Sequence, residues 1–176
     1  TAAEVELLNI EHRELRLRTA LAEISGQYDY ILIDCPPSLN MLTINALVAA
    51  HGVIIAMQCE YFALEGLAAL VRTIEGVAET INSELQIQGI LRTMYDPRNS
   101  LTTDVSAQLR AHFGDKVYRT VVPRNVRLAE APSHGVAAMY YDKNSRGSKA
   151  YMALAGEIIR REEQQAAQQP DRAGLT

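Results

Sequence analysis

Short runs of β-type residues alternate with longer amphipathic segments along most of the chain, and this alternation constrains the fold more than any other feature. Four runs are predicted to be strands, and the first two are continuous apolar runs of the kind that is buried on both faces of a parallel sheet. They cover residues 30–33, 53–57, 87–94 and 117–122. The segments between the runs have helical periodicity, which is typical of βαβ units. The sequence therefore predicts an α/β fold with a doubly wound, mostly parallel sheet and flanking helices.

Apolar residues at helical spacing predict where the helices lie. A first stripe, which ends before Gly26, contains Leu7, Ile10, Leu17, Leu21 and Ile24. Further helices are predicted at 41–50, 63–81, 102–113 and 147–161, with a short helical turn at 127–131. We expect residues 1–161 to belong to a single domain. The Gln- and Ala-rich residues 162–176 have little to bury and are predicted to be a disordered tail.

The charges are distributed unevenly. Residues 98–149 carry a net charge of +5, whereas the rest of the chain carries −9. A basic region in an acidic protein favours polyanions as partners, although a mixed solvated surface is the alternative. No apolar run approaches the roughly 18–20 residues that a membrane span needs, and the two cysteines lack metal-ligand spacing. We therefore expect a cytoplasmic protein that does not insert into membranes.

Asp34 is the residue with the clearest chemical potential. It directly follows the first apolar run, and ligands of parallel α/β sheets bind beyond the carboxyl ends of the strands. A carboxylate in that position can bind Mg²⁺, as the Walker B aspartate of P-loop NTPases does. The alternative is an aspartate that caps the turn into the next helix.

The phosphate-binding loop that normally accompanies such an aspartate is absent from these 176 residues. No segment matches G-x-x-x-x-G-K-[ST], and none of the three lysines follows a Gly-rich turn. Without these backbone N–H groups and the lysine, a triphosphate loses its main electrostatic support. We expect this chain by itself to bind ATP weakly or not at all.

Four blocks of sequence resemble the ParA/Soj family of chromosome- and plasmid-partitioning ATPases, in the order and spacing of that family. They are residues 28–39 (YDYILIDCPPSL), 58–67 (QCEYFALEGL), 93–96 (TMYD) and 122–135 (VPRNVRLAEAPSHG). The family has a P-loop NTPase fold that begins with a strand and a deviant phosphate-binding loop. Because neither is present here, the resemblance implies an amino-terminally truncated member.

The resemblance also implies roles for individual residues. Asp34 takes the catalytic Walker B position and binds Mg²⁺. The adenine side of an ATP pocket is lined by Thr93, Met94, Pro123 and Arg124. Arg98 and Arg127 match positions that grip DNA, and we expect Arg146 and Lys149, on the approach to the last helix, to extend that patch.

For the complete protein, the resemblance implies an ATP hydrolase that binds DNA nonspecifically as an ATP-bound homodimer. A ParB-like centromere-binding protein would stimulate hydrolysis, and the protein would be cytoplasmic and associated with the nucleoid. Two alternatives stay open. One is a shortened, non-hydrolysing paralogue that only binds DNA or dimerises. The other is a MinD-like ATPase that positions the division machinery, although residues 162–176 lack the basic amphipathic helix it would need.

Overall fold

A computed structural model describes residues 2–7, 10–36 and 38–168. The chain divides into two compact units. The first unit comprises Thr1–Ile54 and Glu65–Gln88, and the second comprises Ile55–Leu64 and Gly89–Thr176. The predicted α/β class is confirmed, with a three-stranded parallel sheet and flanking helices.

The first unit is mainly helical. Its helices are α1 (Ala2–Leu7), α2 (Arg16–Ala22), α3 (Met41–Ala49) and most of α4 (Ala63–Thr80). Its core includes Ala46, Leu47 and Val48 of α3, which is buried on several sides, and Leu67, Ile74 and Val77 on one face of α4. The predicted helices at 41–50 and 63–81 are confirmed, and the buried residues of α4 recur on one face as predicted.

Two buried asparagines connect the segments of the first unit. Asn45 accepts the N–H of Leu17 at 3.1 Å and donates to the carbonyl of Arg13 at 2.9 Å. Asn82 donates to the carbonyls of Leu47 and Ala50 at 3.0 and 2.7 Å. These amides satisfy backbone groups at a helix start and a helix end that have no partner within the helix.

The amino-terminal helical stripe is interrupted. Helix α1 ends at Leu7, a single 3₁₀ turn covers Arg13–Leu15, and α2 begins at Arg16. His12 lies between them with φ of 51°, in the left-handed region. Because a continuous right-handed helix cannot contain that conformation, the prediction of one unbroken helix was wrong.

The predicted buried strand at 30–33 was also wrong. Residues 31–36 form no strand, and they include Asp34. Tyr30 and Ile31 are exposed, and Leu32 is 87% exposed. An apolar run becomes a strand only where a neighbouring backbone pairs with it, and the sheet in the described residues contains the three later strands alone.

The second unit contains most of the sheet. The strands are β1 (Gly52–Gln58), β2 (Gln86–Tyr95) and β3 (Val117–Pro123), in the order β1-β2-β3. The first residues of β1 and β2 belong to the first unit. All three strands were predicted, and the observed bounds differ from the predicted ones by no more than one residue.

Four helices belong to the second unit: α5 (Ser100–Phe113), α6 (Val126–Glu130), α7 (Ala138–Tyr141) and α8 (Arg146–Gln168). Asn99 caps α5 by accepting the N–H of Leu101 at 3.0 Å, and Gly114 ends it with φ of 53°. The buried core includes Ile90, Leu91, Val105, Leu109, Tyr118, Val122 and Leu154.

Helix α8 is longer than its apolar spacing predicted. It continues past the expected end at residue 161 as far as Gln168, although its last turns are polar. Residues 169–176 lie outside the described residues, so a disordered tail stays a prediction for them. Among the described residues, no helix combines the length and the apolar composition that crossing a membrane requires.

Candidate functional site

The carboxyl ends of β2 and β3 lie side by side. Tyr95 is paired with Pro123 in the parallel register, and the N–H of Arg124 donates to the carbonyl of Tyr95 at 3.4 Å. Thr93 donates its hydroxyl hydrogen to the carbonyl of Met57 in β1 at 3.2 Å. The residues predicted for the adenine side of a nucleotide pocket therefore belong to neighbouring strand ends in one unit.

Met94 has an unusual backbone conformation for a β-strand residue. Its φ is 50°, in the left-handed region, and its side chain is 42% exposed. A left-handed residue other than glycine costs about 1–3 kcal/mol, and such residues occur often at ligand sites. The strain coincides with a residue for which a ligand contact was predicted.

Arg98 lies in the loop after β2 and is bound to Asp96. Its Nε and Nη2 donate to the two carboxylate oxygens at 2.9 and 2.7 Å, and its backbone N–H donates at 3.1 Å. These hydrogen bonds lower the pKa of Asp96 to about 2, and the charge of Arg124 contributes to the lowering. The guanidinium is 87% exposed, but both Nε and Nη2 are used by one carboxylate.

Arg127, on α6, is paired with two carboxylates. Its Nη1 donates to Glu130 at 2.8 Å, and its Nε lies 3.6 Å from a carboxylate oxygen of Asp142. The hydroxyl of Tyr141 donates to Glu130 at 3.2 Å, and the ring of His134 stacks on that of Tyr141 at 4.8 Å. Hydrogen bonds from Arg127 lower the pKa of Glu130.

For the other predicted basic residues, the described part of the chain provides no such partner. Arg124 is exposed after β3, and Arg146 and Lys149 are exposed in the first turn of α8. Within the described parts of the chain, no carboxylate lies within 4.0 Å of the charged nitrogens of these three side chains. In that part of the structure, their charges are therefore free of internal ion pairs.

Asp34 belongs to the first unit, whereas the residues above belong to the second. Its side chain is exposed, on a segment without secondary structure. Partial burial raises the pKa of the neighbouring Cys35 thiol, and the negative charge of Asp34 raises it further. Magnesium binding by Asp34 stays a prediction.

Sequence reasoning missed a buried polar group at an irregularity of β3. Ile90 of β2 is opposite Val117, but Arg92 is opposite Val121, so β3 has two extra residues over this stretch. Such a bulge leaves backbone groups without ladder partners. Arg92 donates to the freed carbonyls of Tyr118 and Arg119 at 2.7 and 3.1 Å.

Whereas Arg92 binds the carbonyl groups of the bulge, Glu157 of α8 binds its N–H groups. Its two oxygens accept the N–H groups of Arg119 and Thr120, each at 2.8 Å. Arg161 donates to Glu157 at 2.9 Å and lies over the ring of Tyr118 at 4.2 Å. The signal was present in the sequence, because Glu157 falls on the apolar side of its helix between Leu154 and Ile158.

A second missed feature lies just after β3. The Oδ1 atom of Asn125 is buried, and within the described residues it has no hydrogen-bond partner. An unpaired buried acceptor is unfavourable unless a ligand or water satisfies it. It directly follows Arg124, at the strand end where a nucleotide contact was predicted.

Comparisons with known proteins identify relatives. A family profile described as an AAA domain matches residues 1–87. An uncharacterised protein of Pseudomonas putida is 66% identical over 92% of this chain and 62% of its own length. The chromosome partitioning protein ParA of Caulobacter vibrioides is 55% identical over 92% of this chain and 61% of its own length. The sporulation initiation inhibitor protein Soj of Bacillus subtilis is 52% identical over 89% and 62%.

Solved structures support the same fold. A cobyrinic acid a,c-diamide synthase from Mycobacterium smegmatis, with bound ADP and magnesium, matches with a TM-score of 0.73 and 35% identity over 92% of this chain and 58% of that protein. The cell division ATPase MinD of Pyrococcus furiosus matches with a TM-score of 0.68 over 84% and 58%, but at 21% identity it shows the fold alone.

The chain spans about 60% of the length of the curated relatives it matches. Those named ParA or Soj cover about nine-tenths of it at about half identity or more, and they include a protein named as a chromosome-partitioning ATPase in Treponema pallidum. The chain therefore belongs to the family of the ParA and Soj partitioning proteins.

Proposed function

We propose that this chain is the nucleic-acid-facing part of a partitioning ATPase, and that the complete protein binds DNA nonspecifically when it holds ATP. The observation that carries the proposal is the pairing of the ends of β2 and β3, with Arg124 and Arg98 beside them. A nucleotide at this edge would lie next to side chains that suit phosphate oxygens. Arginine forks of this kind give affinity without sequence readout.

Adenine recognition would use the two strand ends. A flat base favours apolar faces with a few convergent polar groups, and Met94 and Pro123 supply apolar atoms there. The unpaired Oδ1 of Asn125 offers a hydrogen-bond acceptor near the same edge. Thr93 would act mainly by fixing the end of β2, because its hydroxyl hydrogen already bonds β1.

Asp34 is proposed to hold Mg²⁺, which when bound would neutralise charge on the phosphates. Magnesium at nucleotide sites takes one or two carboxylates together with phosphate and water oxygens, so a single aspartate fits this mode of binding. In the described part of the chain, no group of three or more His, Cys, Asp or Glu side chains could hold a metal by itself. The proposed ion therefore depends on a nucleotide.

The complete protein would act as an ATP-bound homodimer whose hydrolysis is stimulated by a ParB-like centromere-binding partner. This extends to the chain what the names of its relatives describe, namely chromosome partitioning and ATPase activity. We also propose that the protein is cytoplasmic and associates with the nucleoid. The 176 residues alone, without a lysine-containing phosphate loop, are expected to bind ATP weakly.

The MinD-like alternative has weaker support. The MinD structure is 21% identical to this chain, whereas the relatives named ParA or Soj are about half identical. A non-hydrolysing paralogue would share the DNA contacts proposed here but would not hydrolyse ATP. A partitioning ATPase and a non-hydrolysing paralogue can be distinguished by measuring ATP hydrolysis in a chain extended with the amino-terminal part of its relatives.

The DNA assignment is tested by fluorescence anisotropy with a duplex of random sequence. The 176-residue chain and the amino-terminally extended chain are compared, each with Arg98→Ala and Arg127→Ala. The extended chain with ATP should bind DNA with an affinity that falls steeply between about 50 and 200 mM salt, and each substitution should lower the logarithmic salt slope by about 1. Unchanged affinity in both variants would refute the assignment.

A further inference from the structure

The five basic residues predicted to contact DNA or the nucleotide fall into two groups. Arg124, Arg146 and Lys149 are exposed and free of internal ion pairs among the described residues. Arg98 and Arg127 are also exposed, but each is bound to carboxylates of its own chain. The two arginines with the strongest sequence argument for a DNA contact are therefore the two whose charges are already compensated.

Asp96 occupies Arg98 in the way that a phosphate would. The Nε and Nη2 atoms of Arg98 donate to separate oxygens of one carboxylate at 2.9 and 2.7 Å. Bidentate binding of this kind is also how arginine holds phosphate groups. A phosphate oxygen can reach the same edge of the guanidinium only after the carboxylate has left it.

Glu130 and Asp142 compensate Arg127 in a more rigid setting. The hydroxyl of Tyr141 holds Glu130 at 3.2 Å, while the N–H groups of Asn144 and Ser145 hold Asp142 at 3.0 and 3.1 Å. Both carboxylates are thus positioned by groups other than the arginine.

We propose that Asp96 and Glu130 are affinity-setting residues of the DNA surface, because they hold Arg98 and Arg127 in internal ion pairs that a DNA phosphate must replace. The proposal rests on the DNA-binding function proposed above. Nonspecific binding then begins at Arg124, Arg146 and Lys149, whose charges have no ion-pair partner among the described residues. Because the paired arginines must exchange a carboxylate for a phosphate, the affinity for DNA is lowered. Loss of either carboxylate would remove this cost and raise the affinity.

The experiment measures the affinity of Asp96→Asn and Glu130→Gln for a random-sequence duplex, in the amino-terminally extended chain with ATP and in the 176-residue chain. Exposed ion pairs are weak, so each substitution should tighten binding about two- to five-fold at low salt. The gain should shrink as salt rises, because salt screens the internal ion pairs as well. Far-UV circular dichroism checks that each variant is folded.

Two controls isolate the effect of the ion pairs. Asp104→Asn removes an equal charge from the exposed surface of α5, where no arginine or lysine of the described chain lies within ion-pair distance, and should tighten binding less. Asp96→Asn placed in an Arg98→Ala background should not raise the affinity for DNA, because the arginine that Asp96 pairs with is no longer present. The same logic applies to Glu130→Gln with Arg127→Ala.

The outcomes separate the two proposals. The affinity-setting role of Asp96 and Glu130 is overturned if the increase in DNA affinity persists when the paired arginine is alanine. It is also overturned if the increase equals that of Asp104→Asn. In both cases the DNA-binding function stands. Arginine variants that bind as tightly as the parent chain overturn both proposals. An increase in DNA affinity that occurs only when the paired arginine is present supports the affinity-setting role of the two carboxylates.

Discussion

Glu157→Gln should weaken the second unit through a single buried carboxylate. Its two oxygens accept the N–H groups of Arg119 and Thr120 at the bulge of β3, and Arg161 donates to it as well. Glutamine keeps the size of the side chain but replaces one acceptor oxygen with an NH₂ donor. One strand N–H then faces another donor where water is largely excluded.

The pKa of Glu157 gives the magnitude. Burial by itself raises it, but the N–H groups of Thr120 and Arg119 and the donated bond from Arg161 lower it overall, to about 2 from the ordinary 4.5. A difference of this size corresponds to about 3 kcal/mol of folding stability. Because the folded pKa is depressed, this stability is present above about pH 4.5 and is lost as the pH falls toward 2.

The assay is urea unfolding followed by far-UV circular dichroism, for the parent chain and Glu157→Gln, at about pH 7 and about pH 3. At the higher pH the variant should be less stable by about 3 kcal/mol. At the lower pH the parent has lost about 2 kcal/mol of that contribution, so the difference should shrink to about 1 kcal/mol. Glu163→Gln, on an exposed position of the same helix, should change stability by less than about 0.5 kcal/mol.

Two results would refute this account of Glu157. A stability difference of equal size at both pH values would mean that ionisation of the carboxylate contributes little. A loss for Glu163→Gln as large as that for Glu157→Gln would mean that any charge change on α8 has the same effect. In either case the bulge of β3 would not depend on this carboxylate.

Three further substitutions test the packing by urea unfolding at neutral pH. Arg92→Met should cost about 2–4 kcal/mol, because it leaves two carbonyls of the bulge unsatisfied in a buried place; a loss below about 0.5 kcal/mol would contradict that role. Gly89→Ala should cost about 1–3 kcal/mol, because a Cβ there would clash with the ring of Tyr118 and lie 2.9 Å from the carbonyl oxygen of Lys116, and a neutral effect would show that the contact relaxes easily. Asn82→Ala should cost about 1–3 kcal/mol by freeing two carbonyls at the end of α3. Ser83→Ala, at the exposed neighbouring position, is its control and should be near neutral; equal losses for the two changes would contradict the role of the Asn82 amide.

The parts of the fold that the sequence predicted well are those determined by local pattern. Strand β1 is a continuous apolar run, β2 and β3 are short segments rich in β-branched and other apolar residues, and α4 has apolar residues at helical spacing over its whole length. These elements are buried when their apolar faces pack against any other apolar surface, so their local pattern is enough to predict them. The predicted proximity of the residues at the ends of β2 and β3 follows from the parallel pairing of these strands, which places their carboxyl ends side by side.

The parts that failed depend on more distant information. The run at 30–33 is as apolar as the other strands, but it has no place in the described sheet. At the bulge of β3, Arg92 and Glu157 satisfy the backbone through contacts between distant residues, and the spacing of apolar residues does not reveal them. The ion pairs of Arg98 and Arg127 depend on loop conformation, so the sequence indicated the basic residues but not their compensation.

The proposed ATP-dependent binding of DNA can be tested by comparing nucleotide states. The affinity of the amino-terminally extended chain for a random-sequence duplex is measured with ATP, with ADP and without nucleotide, in the presence of Mg²⁺. We predict tight, salt-sensitive binding with ATP and much weaker binding in the other two conditions. Equal affinity in all three conditions, or no binding with ATP, would contradict this proposal.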